Sequence, residues 1–103
     1  MLLIDYKERM VRLTEERLFH IENDHPEMNG QLLRIKETLA LPEIVCKSRT
    51  DETVELLYRF YINTPVDKKH LCILLKVKEN DCFIITAYFT DSIKKGEILW
   101  QRK

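Results

Sequence analysis

The second half of the sequence is dominated by a hydrophobic period of two. From Glu43 onward, apolar and polar residues alternate in four runs, EIVCKSR, TVELLYRFYI, HLCILLKVK and CFIITAYFT. Such alternation predicts strands that bury one face and expose the other. Because the runs follow one another with short connections, we expect a four-stranded antiparallel meander.

The first 42 residues predict helices instead. Thr14 is a suitable N-cap for a helix that runs to about Asn23, with two acidic residues in its first turn. A second helix begins at Met28 or Gln31 and ends near Leu39. Alternation from Met10 to Leu13 predicts a short strand before them.

The expected fold class is therefore α+β, with N-terminal helices packed on a four-stranded antiparallel sheet. A chain of 103 residues fits one domain, 1–103, with a helical part over about 1–42 and a sheet over about 43–100.

The register of the last hairpin follows from the same alternation. Leu71, Ile73, Leu75 and Val77 form one apolar face of the third run, and the fourth run has a matching set, Phe83, Ile85, Ala87 and Phe89. Both sets share a side of the sheet if 79–81 is a three-residue loop and Lys78 pairs with Cys82. We therefore predict that loop.

The opposite face is then half polar. It includes Lys76, Thr86, Tyr88 and Thr90, and the second strand adds Arg59 and Tyr61 if Leu56, Tyr58 and Phe60 point to the helices. These polar side chains could be ordinary solvated strand residues, or they could form a binding surface.

Net charge limits the kinds of partner. The formal net charge is zero, with six Lys/Arg against eight Asp/Glu before Glu43 and eleven against nine from there on. A protein that binds nucleic acid chiefly by neutralising phosphates is more basic than this, so any RNA contact needs a local basic patch. The N-terminal segment lacks the apolar core and small-residue cleavage site typical of a signal peptide, and no apolar run is long enough to span a membrane, so we expect a cytoplasmic location.

Cysteine and histidine spacing gives little support for a metal site or a disulfide. The three cysteines form no CxxC pattern, and we expect reduced thiols. His20, Asp24 and His25 could form a metal site, but no fourth ligand has a defined spacing.

The segment FHIENDHPEM contains His20 and His25, and it has two interpretations. It could be a polar helix end, because His25 precedes a proline and is biased out of the helical region. Alternatively, either histidine could transfer protons in catalysis, since histidine titrates near neutral pH.

Several segments together resemble a known family. HIENDHPEM, then ETLALPEIVCKSRTDETVELLYRFY, then HLCILLKVKENDCFIITAYFTDSIKKGEILW look like small phage- and bacteria-borne domains. Those domains are grouped with the barnase, EndoU, colicin-type and RelE-type (BECR) ribonucleases. The resemblance covers about Arg17 to Trp100, and the closing segment is its most specific part.

The resemblance implies a metal-independent endoribonuclease without a cofactor, which acts either as the toxin of a toxin–antitoxin pair or as a phage effector. Its substrate would be RNA, such as tRNA or mRNA, and its partner an antitoxin or immunity protein. The implied catalytic residues are His20, His25, Arg49, Lys76, Thr86 and Thr90. The implied RNA-binding residues are Ser48, Arg59 and Tyr88. Tyr61 or Tyr88 could stack on a base, since RNA-binding proteins often hold splayed bases on aromatic rings. The alternative is a non-catalytic RNA- or protein-binding module on the same scaffold.

Overall fold

Seven strands and two short helices form the molecule, in a computed structural model that describes all 103 residues. The strands are β1 (Leu2–Ile4), β2 (Met10–Arg12), β3 (Ile44–Lys47), β4 (Val54–Tyr61), β5 (Lys69–Lys78), β6 (Asp81–Thr90) and β7 (Ile98–Gln101). The helices are α1 (Glu15–Asp24) and α2 (Leu32–Ala40), with a 3-10 turn, Pro26–Met28, between them.

All seven strands belong to one mixed sheet in the order β1-β2-β6-β5-β4-β3-β7. Strands β3 to β6 form the antiparallel meander that the alternation predicts. The predicted fold class is nevertheless wrong. Three further short strands extend the sheet. β2 lies where the alternation from Met10 to Leu13 predicts a strand, but it pairs with β6 in parallel, and β1 and β7 add the two edges.

Helix α1 begins where its cap predicts. The hydroxyl oxygen of Thr14 accepts a hydrogen bond from the Arg17 backbone N–H at 3.0 Å, and Glu15 and Glu16 occupy the first turn. The helix ends at Asp24, because Pro26 disfavours helical geometry at His25. The 3-10 turn that follows buries Met28 in the core.

The main core lies between the sheet and the two helices, on what we call the inner face. It includes Leu57, Ile73, Leu75, Ile84 and Ala87 from the central strands. The sheet is curled, as a contact between its two edges shows. The ring centroids of Tyr6, just beyond β1, and of Trp100 in β7 are 5.7 Å apart.

The turn between β5 and β6 differs from the predicted one. Lys78 pairs with Asp81, which leaves a two-residue turn, and the ladder shifts by one residue between Leu74 and Leu75. This β-bulge restores the predicted pairing of Leu74 with Thr86 and of the residues beyond it. Phe83 consequently pairs with Lys76 and lies on the outer face, not in the main core as predicted.

Candidate functional site

The outer face of the sheet contains a cleft with a basic lining. A strap, residues 91–97, leaves β6 and crosses this face to reach β7 at the far edge. The cleft lies between the strap and the β3–β4 turn, has a volume of about 570 Å³, and includes Cys46, Leu56 and Leu74 among its lining residues. It is open to solvent at its rim, where Arg49, Lys94 and Lys95 are exposed.

Positive charge in this cleft is not neutralised. Arg49, Lys94 and Lys95 form no ion pair, and no carboxylate residue lines the cleft. Lys47, the fourth cation of the lining, is 3.8 Å from Glu97. A bound anion would meet three cations without displacing a carboxylate, which is the local basic patch that a chain of zero net charge needs for RNA.

Two close contacts hold the strap over the sheet. The backbone N–H of Lys94 donates a hydrogen bond to the hydroxyl oxygen of Tyr58 at 3.1 Å. A Cβ added at Gly96 would lie 2.6 Å from the carbonyl oxygen of Lys47, so only glycine fits this approach. The position of both strap lysines therefore depends on a tyrosine beneath them and a glycine beside them.

His25 reaches this same outer face. Its ring lies 5.4 Å from the ring of Tyr88, between centroids, and its Nδ1 is 3.7 Å from a Glu27 carboxylate oxygen. Tyr88 pairs with Cys72 across the ladder and packs on the second cluster of buried side chains. The imidazole of His25 is about one-third exposed, so it remains accessible to a ligand.

Burial raises the pKa of two groups on the outer face, Tyr88 and Cys72. Burial, together with the neighbouring Cys72, raises the pKa of Tyr88 to about 12. Burial likewise raises the pKa of Cys72 to about 11, against the opposing effect of hydrogen bonds with Tyr58 and Tyr88. Tyr88 is therefore a hydroxyl donor at neutral pH, and Cys72 is an unreactive thiol.

Four more of the predicted residues lie on this side of the sheet. Thr86 pairs with Leu74, which lines the cleft, and Thr90 lies opposite His70. Ser48 lines the cleft, and its backbone N–H donates to the Val54 carbonyl oxygen. Lys76 is bound to Asp51 at 2.9 Å.

The Asp51 carboxylate accepts further hydrogen bonds from Thr53. Those bonds, followed by the one from Lys76, hold the pKa of Asp51 well below its usual range. The Asp51 carboxylate is therefore ionised at neutral pH, and its charge offsets that of Lys76.

Arg59 and Tyr61 lie on the inner face, so their predicted placement beside Lys76 is wrong. Leu57 of the same strand belongs to the main core. Arg59 donates to the Leu41 carbonyl oxygen at 2.7 Å and lies 3.5 Å from Glu37, and the Tyr61 hydroxyl donates to Glu37 at 2.6 Å. Both side chains fasten α2 to the sheet.

His20 lies apart from the cleft, in an exposed position on α1. It lines a separate notch with Arg12, Arg17 and Phe83, and its Nε2 is 3.9 Å from Glu16. No three His, Cys, Asp or Glu side chains come together as a metal ion would require, and all three cysteines are unbonded. Of the two candidate histidines, His25 is the one beside Tyr88.

The strap lysines were not predicted from the sequence as part of this face. Lys94 and Lys95 follow the last predicted strand, in the polar segment DSIKKGE, which has no hydrophobic alternation. The single glycine in that segment is the one local signal of a close backbone approach.

The chain matches no family model, no curated protein and no solved structure with which it was compared. The resemblance to BECR nucleases therefore stays a prediction. Neither helix is long and apolar enough to cross a membrane.

Proposed function

We propose that the protein binds an RNA strand on the outer face of its sheet and cleaves it without a metal ion, with His25 as a proton-transfer residue. The observation that supports this most directly is the contact of His25 with Tyr88, on the same face as a cleft with three unpaired cations. A cytoplasmic RNA, such as tRNA or mRNA, is the substrate we infer from the family resemblance.

The residue types on this face suit that reaction. A base takes the proton of the ribose 2′-hydroxyl, the 2′-oxygen attacks phosphorus, and the 5′-oxygen leaves with a proton, which yields a 2′,3′-cyclic phosphate. We assign the base to His25, and Tyr88, whose ring lies 5.4 Å from the imidazole between centroids, offers a protonated hydroxyl on the same face. Arg49, Lys94 and Lys95 supply positive charge for the phosphate, and arginine adds a planar bidentate donor.

The test is cleavage of tRNA and of a labelled single-stranded RNA in the presence of EDTA. We expect cyclic-phosphate products, and a loss of at least ~100-fold in rate for His25→Ala and His25→Gln, since general acid–base residues contribute at least that much. Arg49→Ala should lower the rate as well. Asn23→Ala, an exposed change near the end of α1 and two residues before His25, is the matched control and should leave the rate unchanged.

Circular dichroism of each variant establishes that it is folded. No cleavage by the wild-type protein, or full activity of folded His25→Gln, would contradict the catalytic proposal.

One observation favours the alternative of a non-catalytic RNA-binding module. Of the six residues predicted to be catalytic, His20 lies away from the cleft and Lys76 forms an ion pair with Asp51, so few groups remain for proton transfer and phosphate binding. RNA binding in fluorescence anisotropy, lowered by Arg49→Ala and without any cleavage, would support the module.

A further inference from the structure

A second cationic notch lies between the start of α1 and the paired strands β2 and β6, away from the cleft. It forms where the chain leaves β2 to begin α1, has a volume of about 360 Å³, and is lined by seven residues, Arg12, Thr14, Glu16, Arg17, His20, Phe83 and Ile84. Phe83 contributes from the outer face, because it pairs with Lys76.

The notch is suited to an anion. Arg17 forms no ion pair, and His20 has only a 3.9 Å contact with Glu16, whose side chain is 86% exposed. The guanidinium of Arg12 lies over the Phe83 ring, 5.1 Å from its centroid, and its Nη2 is 2.9 Å from Asp81. Arg12 is therefore fixed in place, while Arg17 and His20 are free to donate to a ligand.

The strand register connects this notch to the basic cleft. Ser48 is hydrogen-bonded to Val54, Val54 pairs with Lys76, Lys76 with Phe83, and Phe83 with Arg12. These five residues form one row across β4, β5, β6 and β2, with Ser48 just beyond the end of β3. At about 4.8 Å between strands, the row is on the order of 20 Å long, with Ser48 of the cleft at one end, Arg12 of the notch at the other and Lys76 in the middle.

We propose that the notch formed by Arg17 and His20 is a second phosphate-binding site, which holds the same RNA strand some 20 Å from the cleft along this row. The inference rests on the proposed function, and it goes further by requiring a single strand long enough to reach both sites. The RNA strand crosses the β-strands instead of running along them, because the two sites meet the sheet at opposite ends of this crosswise row, at Ser48 and at Arg12.

The test compares the binding of 2′-O-methyl oligouridylates of about 4 and about 12 nucleotides. Their methylated 2′-oxygens cannot attack the phosphate, so they are not cleaved, and the two lengths span site sizes typical of single-strand binders. We expect the double variant Arg17→Ala/His20→Ala to weaken binding of the longer oligonucleotide by roughly tenfold and to leave the shorter one unchanged. The slope of log binding constant against log salt concentration should become shallower by ~0.7 for each lost phosphate contact. Lys36→Ala, an exposed and unpaired cation on α2, is the control.

The possible outcomes separate the two proposals. If the wild-type protein binds the longer oligonucleotide and the double variant binds it equally well, the second site does not exist, while the cleft remains. If the double variant weakens both lengths equally, the two sites are not distinct. If the wild-type protein binds neither oligonucleotide, the proposed function fails and this inference with it.

Discussion

Arg9 lies between two carboxylates at the place where the β1–β2 connection meets the inner face. Its Nε is 2.7 Å from Asp5, and its Nη2 is 2.9 Å from Glu55, which also accepts a hydrogen bond from the Tyr6 hydroxyl at 2.8 Å. The Asp5 side chain has no exposed surface. Arg9 thus provides the positive charge that two buried carboxylates require.

Arg9→Met should consequently lower the free energy of unfolding by about 3 kcal/mol, because it leaves Asp5 and Glu55 buried without a cation. Urea denaturation at neutral pH measures this loss. Arg102→Met is the control, since its pair with Glu43 is largely exposed and should contribute less than ~1 kcal/mol. Equal effects of the two substitutions would show that the Arg9 cluster does not stabilise the fold.

Arg59 and Tyr61 show why the face of a single residue is hard to predict. In β4, Val54, Leu56, Tyr58 and Phe60 form the more apolar face, which alternation assigns to the helices. The more polar face lies there instead, because each polar group has a partner on that side: Arg9 for Glu55, and Glu37 for Arg59 and Tyr61. Those partners come from distant parts of the chain, and a period within one strand contains no information about them.

At the scale of elements, the three long strands were predictable, and of the four short strands β2 and β3 were predicted while β1 and β7 were not. Strands β4, β5 and β6 have eight to ten residues, enough for a period to be recognised. β1 and β7 have three and four, so their pairing depends on neighbours in space. The β-bulge at Ile85 lies close to Cys82 and Phe83, which pair with β2. The local sequence does not reveal this pairing of β6 with β2.

The strap is the element on which the cleft depends. We expect Gly96→Ala to lower the free energy of unfolding by about 1–3 kcal/mol, since the added Cβ overlaps the Lys47 carbonyl oxygen and moves the strap. RNA binding should weaken with it, because Lys94 and Lys95 move too. Urea denaturation and fluorescence anisotropy measure the two effects.

Ser92→Ala, on the exposed part of the strap, is the control for this substitution. Unchanged stability and unchanged RNA binding in Gly96→Ala would exclude a close packing of the strap on β3.

In the molecule as a whole, buried polar groups lie on both sides of one curled sheet. Tyr6 and Tyr61 contact the inner side, and Tyr58 and Tyr88 the outer side. Each is substantially buried, and burial is the largest cause of the raised pKa of all four phenols. For Tyr61 and Tyr88 the pKa is about 12.

These four phenols predict how stability depends on alkaline pH. An unfolded tyrosine ionises near pH ~10, so above that pH the unfolded chain loses protons that the folded chain keeps. The free energy of unfolding should therefore be unaffected by the tyrosines below pH ~10 and fall as the pH rises from about 10 to about 12. Tyrosinate absorbance, followed together with circular dichroism, should increase only as the fold is lost. In the urea-unfolded protein, the control, the tyrosines should titrate near pH ~10. If the four phenols of the folded protein titrate near the same pH, the rings are not buried on the two faces.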